Sequence, residues 1–222
     1  MNVLGHAHVA LEVAGDEPAW VLGAVLPDLA PAAGVRVDRH ALPEAVAAGL
    51  RCHLAADTAF HALPPFVRGA GDIRRALGRR GVTSGPARAV GHAGWELLLD
   101  GTLLGSDAAA AVRRALAAGP LATPAMSAAD AGRWATFVHR ALRAPAARYD
   151  EPPWVAARLH AVLARRPRLR LPAGHVAVVS TVLAAYQPDV RAAAGDVLRS
   201  TATAAVGRAP WASAQGVRPV PR

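Results

Sequence analysis

The chain has 222 residues, 53% of them hydrophobic but only 5% aromatic, so Leu, Val and Ala must build most of its core. Its single cysteine excludes an internal disulfide, no uninterrupted apolar run reaches the roughly 18 residues of a membrane span, and no signal-peptide pattern opens the sequence. The net charge of +9 comes from arginine alone and indicates either a biased genome composition or an acidic or phosphate-bearing partner. These features favour a cytoplasmic enzyme or binding protein.

Helical periodicity dominates the chain, and no stretch alternates as a strand would. We therefore expect an all-α protein, with one antiparallel helical bundle over residues 1–206 and a flexible, Pro- and Gly-rich tail over 207–222. The predicted helices lie at about 2–14, 16–28, 43–60, 69–80, 84–104, 107–119, 127–142, 151–165 and 172–199. A Pro- and Gly-containing connector follows the second helix.

Two segments each place a histidine four residues before an acid: His53 before Asp57, and His92 before Glu96. This spacing rotates two side chains by only about 40°, so both groups of each pair leave the same face of a helix. Two such helices can close around a divalent metal ion. The alternative is that each pair is a structural ion pair on the helix surface.

Further candidate ligands lie in the same part of the chain. The complete predicted set of metal ligands is His6, His8, Asp28, His40, His53, Asp57, His61, His92 and Glu96. Of His6 and His8, only one should face the metal, because residues two apart on a helix diverge by about 200°. Asp28 is predicted to end the second helix, where an uncompensated acid is unfavourable. Cys52 is either a ligand or, more commonly, a small buried hydrophobe.

Mixed nitrogen and oxygen ligation suits Zn, Mn or Fe and excludes a cysteine-type structural zinc site. The number of candidates indicates two or three ions, and a pair of ions can share a hydroxide and cleave a phosphoester. The sequence thus predicts a metal-dependent phosphodiesterase. A metal-binding scaffold without hydrolytic activity and an oxidative iron enzyme are the alternatives from other classes.

Several short motifs resemble acyl-carrier-protein phosphodiesterases. They occur in the same order over about residues 1–170: the opening Met1 to Ala10, Gly23 to Asp28, Gly49 to Asp57, Trp95-Glu96 and Arg165 to Leu169. The resemblance implies an all-helical fold related to the HD phosphohydrolases and a divalent metal, typically Mn. It also implies hydrolysis of the phosphodiester that joins 4′-phosphopantetheine to a serine of an acidic carrier protein.

The chain departs from that family where His61 and His92 replace residues that are usually Asp. These replacements make it similar to a second family, the zinc-dependent phospholipases C. In that family the metal ligands follow the order His, Asp, His, His-x-x-x-Asp, His and His-x-x-x-Glu. The same order is found here in His8, Asp28, His40, His53 with Asp57, His61, and His92 with Glu96. This second resemblance implies three zinc ions in a helical fold and a different phosphoester substrate.

In the expected mechanism, metal-bound water attacks phosphorus, and an unligated group handles the proton. The predicted catalytic residues are Asp57, Glu96 and Asp100, with His6 as a further proton carrier. Arg165, Arg166 and Arg168 are predicted to bind the anionic substrate, since planar guanidinium groups suit phosphate; a solvated helix end is the alternative. No nucleic-acid motif stands out, so we expect no nucleic-acid partner.

Overall fold

The computed structural model describes residues 1–207, and these residues form helices and turns without a β-strand. The prediction of an all-α fold is confirmed. The α-helices within this range are α1 (Val3–Ala14), α2 (Pro18–Ala33), α3 (Glu44–Ala62), α4 (Pro64–Gly78), α5 (Ser84–Gly101), α6 (Asp107–Ala117), α7 (Ala128–Arg143), α8 (Pro152–Leu163) and α9 (Val176–Gly207). Short 3-10 segments occupy Gly119–Ala125, Pro167–Leu169 and Ala173–His175. Of the predicted tail over 207–222, Gly207 ends α9, and residues 208–222 lie outside the described residues.

The chain packs as two compact units. Among the described residues, the first contains Met1–Ala59, Gly105–Ala146 and 198–207, and the second contains Phe60–Leu104 and Ala147–Val197. Each unit has its own buried core, with Leu22 and Leu26 in the first and Leu98 and Leu183 in the second. The core positions are mostly aliphatic, as the low aromatic content requires.

Helix α2 is longer than its sequence suggests. Its start is well defined, because Glu17 accepts hydrogen bonds from the backbone N–H groups of Ala19 and Trp20. The prediction that it ends at 26–28 is wrong, since the helix continues through Pro27 and a second proline to Ala33. A proline removes one hydrogen bond and normally interrupts a helix. Here the turns beyond Pro27 still bury apolar side chains, which offsets the lost bond.

Two glycines allow α2 and α3 to cross with their backbones in contact. A Cβ atom on Gly23 would lie 2.0 Å from the carbonyl oxygen of Val46, and one on Gly49 would lie 2.0 Å from that of Trp20. Such distances are far below van der Waals contact, so only glycine fits at either position. The crossing holds the two helices at a spacing that no other residue would permit.

In the second unit, α4 begins at Pro64, five residues before the predicted start. Proline suits this first helical position because its missing N–H would be unpaired there in any case. Helix α4 packs closely against α5. A Cβ on Gly69 would meet the Trp95 indole at 2.4 Å, and one on Gly91 would meet the Ala70 carbonyl oxygen at 2.5 Å.

Helix α9 also exceeds its predicted end near 199, because it continues through Pro188 to Gly207. Among the described residues, the stretch from Pro167 to Gly207 alone is long and apolar enough to cross a membrane by length and composition, with a mean hydropathy of 1.3 in its most apolar window. Helices of soluble proteins satisfy the same criterion. The expectation that the chain lacks a membrane span therefore stays a prediction.

Candidate metal centres

The predicted ligands form two groups of three, each inside one unit. His6, Asp28 and His53 make up the first group, which we name the buried triad. His61, His92 and Glu96 make up the second, which we name the open triad. In each group, one candidate ligand atom from every residue lies within 4.8 Å of the other two. Both triads therefore combine two imidazoles with one carboxylate.

Three helices of the first unit contribute to the buried triad: α1 carries His6, α2 carries Asp28 and α3 carries His53. Nδ1 of His6 lies 2.8 Å from Oδ2 of Asp28. Nδ1 of His53 donates to the carbonyl oxygen of Ala24 at 2.8 Å. The centroids of the two imidazole rings are 3.8 Å apart. The prediction that Asp28 ends its helix is wrong, because Asp28 lies inside α2, where its partner is His6.

The second nitrogen of His6 has no hydrogen-bond partner among the described residues, although it is fully buried. Its nearest carboxylate oxygen is Oδ1 of Asp57, at 3.7 Å, which is too long for a hydrogen bond. A buried polar atom without a partner is costly. Metal-binding histidines in proteins typically bond a carboxylate or carbonyl through one nitrogen and the metal through the other. His6 and His53 each bond an oxygen atom through Nδ1, so their Nε2 atoms could bind a metal and the residues present fit a divalent ion.

Burial and neighbouring charges act differently on the two imidazoles. For His6, burial lowers the pKa, but the charge of the Asp28 carboxylate, the hydrogen bond to it and the nearby Asp57 carboxylate together outweigh burial, so the pKa is raised. For His53, burial and the nearby His6 lower the pKa to about 4. His53 is therefore neutral at pH 7, which is the form that binds a metal.

The open triad has a single carboxylate oxygen at its centre. Nε2 of His61 and Nε2 of His92 each lie 3.1 Å from Oε1 of Glu96. The two imidazole centroids are 4.8 Å apart. The His92 side chain is 50% exposed, whereas that of Glu96 is 12% exposed. One side of this triad thus faces solvent.

Aromatic side chains support the open triad from its buried side. Phe66 on α4 lies 5.0 Å from the His61 ring and 5.2 Å from the His92 ring, measured between centroids. Phe60 and Trp95 pack against Phe66 in turn. These contacts fix both imidazoles against an apolar wall. The sequence analysis did not predict this role of Phe66, because a single aromatic residue near a proline does not indicate that it packs against a ligand site.

The two histidines also determine the charge state of Glu96. Burial raises the pKa of its carboxyl group, but hydrogen bonds from His61 and His92 outweigh this effect and lower the pKa to about 2. Glu96 is therefore ionised at every pH at which the protein would function. It supplies the negative charge that a divalent ion needs.

The structure places the remaining predicted ligands outside the two triads. His6 rather than His8 faces the buried triad, and burial lowers the pKa of the half-buried His8. His40 is exposed in the connector between α2 and α3, where its backbone N–H bonds Asp38. Asp57 lies at the edge of the buried triad and accepts a hydrogen bond from the amino group of Met1 at 2.9 Å.

Asp100, a predicted catalytic acid, is completely buried in α5. Nothing places it in either triad, so its catalytic role stays a prediction. The predicted substrate-binding residues Arg165, Arg166 and Arg168 are all exposed, in the turn that follows α8.

Cys52 lies next to His53 on α3 but points into the core, with 1% of its surface exposed. Burial raises the pKa of its thiol to about 12. We expect this thiol to be unreactive towards Ellman's reagent in the native protein and to react stoichiometrically once guanidinium unfolds the chain. Rapid labelling of the native protein at pH 8 would contradict the structure and would reopen Cys52 as a ligand.

No family model matches the chain, and neither a curated protein nor a solved structure matches it. The resemblances to acyl-carrier-protein phosphodiesterases and to zinc-dependent phospholipases C therefore stay predictions. The chemistry of the two triads is the observation from which a function can be argued.

Proposed function

We propose that this protein is a metal-dependent phosphodiesterase whose reaction takes place at the open triad. One observation carries the proposal: two imidazole nitrogens lie 3.1 Å from the same ionised carboxylate oxygen at a solvent-facing position. Two histidines and one carboxylate are a common ligand set of catalytic zinc sites, which leave a coordination position for water or substrate.

The distances in the open triad suit an ion. Ligand atoms about 2.0–2.1 Å from a tetrahedral zinc ion are about 3.3 Å from one another. The separations of 3.1 Å between Glu96 Oε1 and the two Nε2 atoms are close to this value. Only small side-chain movements would thus be needed to admit zinc or manganese.

A divalent ion held there would supply a Lewis acid for the phosphoryl oxygen and a bound water with a pKa near 7. The residues of the chain have separate tasks around it. Glu96 provides the charge, while His61 and His92 provide neutral nitrogen donors. Phe66 shields the inner side from water, so substrate approaches past the exposed edge of His92.

The buried triad is proposed to hold a second ion with a structural role. Its two histidines are almost completely buried, so little room is left for a substrate. An ion bound there would join α1, α2 and α3, the helices that carry its three ligands. Metal binding at such closed sites contributes directly to folding stability.

The substrate is proposed to be a phosphodiester. Release of 4′-phosphopantetheine from an acyl carrier protein is the specific reaction that the sequence motifs favour, with a phospholipase C-like reaction as the second candidate. The excess of arginine on the chain would attract either substrate.

Metal analysis of protein purified without added metal tests this proposal. We expect about two equivalents of zinc or manganese per chain and hydrolysis of bis(p-nitrophenyl) phosphate that a chelator removes and added metal restores. Tightly bound iron with oxygen consumption would instead support an oxidative iron enzyme, since two histidines and a carboxylate also bind non-haem iron. Bound metal without hydrolysis or oxygen consumption would favour a scaffold.

A further inference from the structure

An arginine-rich surface covers one end of α8 and the turn after it, within the second unit. We name it the arginine surface, and it consists of Arg158, Arg165, Arg166, Arg168 and Arg170. All five side chains are exposed, and none forms an ion pair within residues 1–207. Elsewhere in the same unit, Arg75 pairs with Asp72 and Arg148 pairs with Glu151. The charge of the arginine surface is thus left for a partner.

The backbone beneath these arginines is held in place. Leu163 and Leu171 are buried at the two ends of the turn. Nδ1 of His160 donates to the carbonyl oxygen of Leu171 at 2.9 Å, which ties the end of the turn back to α8. The backbone of this turn also packs against α5, where a Cβ on Gly85 would be 2.9 Å from the Arg168 carbonyl oxygen. A surface ordered before binding loses less entropy when a partner docks.

A large apolar side chain stands among the charges. Val162 is 43% exposed and is one of five exposed large apolar side chains in residues 1–207. It follows Arg158 by four residues, so these two share one exposed face of α8, and Arg165 lies three residues further along, in the turn after the helix. The surface therefore has an apolar centre and a basic rim.

We propose that the arginine surface docks an acidic protein, through a helix or segment that places carboxylates on the arginines and an apolar side chain on Val162. Protein interfaces are typically organised in this way, with arginine enriched around an apolar centre. A membrane-binding helix would instead present several bulky apolar residues. A nucleic acid would use the charges without the apolar centre. This inference deepens the proposed function, on which it rests for the choice of an acidic carrier protein as a candidate partner, but the binding itself does not depend on bound metal.

The test measures binding of a synthetic amphipathic peptide, a helix with glutamates around one leucine stripe, to the full chain by fluorescence anisotropy. We expect micromolar affinity that weakens with salt. The double substitution R165E/R166E should weaken binding at least about tenfold, because like charges then face each other. The control R140E/R143E changes the net charge equally on exposed arginines of α7 and should have little effect.

A second pair of variants tests the apolar centre. Val162→Asp should weaken peptide binding severalfold, whereas Leu121→Asp, at an equally exposed apolar residue in the first unit, should not. Equal losses for the two arginine pairs would overturn the proposal, since they would indicate attraction by net charge alone. It would also be overturned if phosphatidylserine vesicles or duplex RNA bound more tightly than the peptide and independently of Val162.

Discussion

Replacing Glu96 with Gln is expected to abolish phosphodiester hydrolysis and to remove one equivalent of bound metal. The substitution keeps the shape of the side chain but removes the negative charge between His61 and His92. Loss of a residue that hydrogen-bonds a metal ligand typically lowers metal affinity or activity about 10–100-fold. Loss of a charged ligand itself should therefore lower them more than about 100-fold. Metal content and the rate of bis(p-nitrophenyl) phosphate hydrolysis are the measurements.

Glu151→Gln is the matched control. Glu151 is a glutamate of the same unit that pairs with Arg148 at the surface, and such pairs contribute about 0–1 kcal/mol. It should leave both metal content and hydrolysis unchanged. His92→Ala should reproduce the Glu96→Gln result, because it removes a ligand from the exposed side of the same triad. Full activity in either open-triad variant would show that the reaction takes place elsewhere.

Replacing Gly49 with Ala is expected to destabilise the protein by about 3 kcal/mol or more. The new methyl group would lie 2.0 Å from the carbonyl oxygen of Trp20, and backbone cannot move aside as a flexible side chain can. Separation of α2 from α3 would also break the hydrogen bond from His53 to Ala24 and move His53 away from Asp28. We therefore expect loss of the metal bound by the buried triad. Urea unfolding and metal analysis measure the two effects.

Gly132→Ala provides the contrast, because Gly132 lies in α7 of the same unit and a Cβ there would meet nothing within 4 Å. Alanine at an unhindered helical position should stabilise the protein by about 0.4–1 kcal/mol. A Gly49→Ala variant as stable as Gly132→Ala, with its full metal content, would contradict the close helix crossing. The two substitutions are chemically identical, so the difference between them reports on the crossing alone.

The helix pattern of the chain was predictable because apolar periodicity and the starts at Ser, Asp and Pro are local features. The errors came at prolines. Pro27 indicates a helix end, but α2 and its burial against neighbours continue to Ala33. Pro188 similarly lies inside α9. Tertiary packing offsets the cost of a proline, and no local pattern shows how much packing a segment will obtain.

The spacing of His53, His61, His92 and Glu96 was sufficient to identify them as candidate ligands, since side chains four residues apart share a helix face whatever the fold. The sequence also carried a signal for the helix crossing, because a glycine inside an apolar helix suggests a close approach. It did not show that Gly23 and Gly49 approach each other's helices.

By itself, then, the sequence determined an all-α fold and the candidate metal ligands, because both depend on contacts within one helix. Only the tertiary structure decided which ligands meet. It selected His6 over His8, joined Asp28 to His6 and His53, and separated the set into two triads, one buried and one open. Those outcomes depend on the rotation and spacing of helices far apart in the chain, which are set by close contacts such as those of Gly23 in α2 with α3 and of Gly91 in α5 with α4.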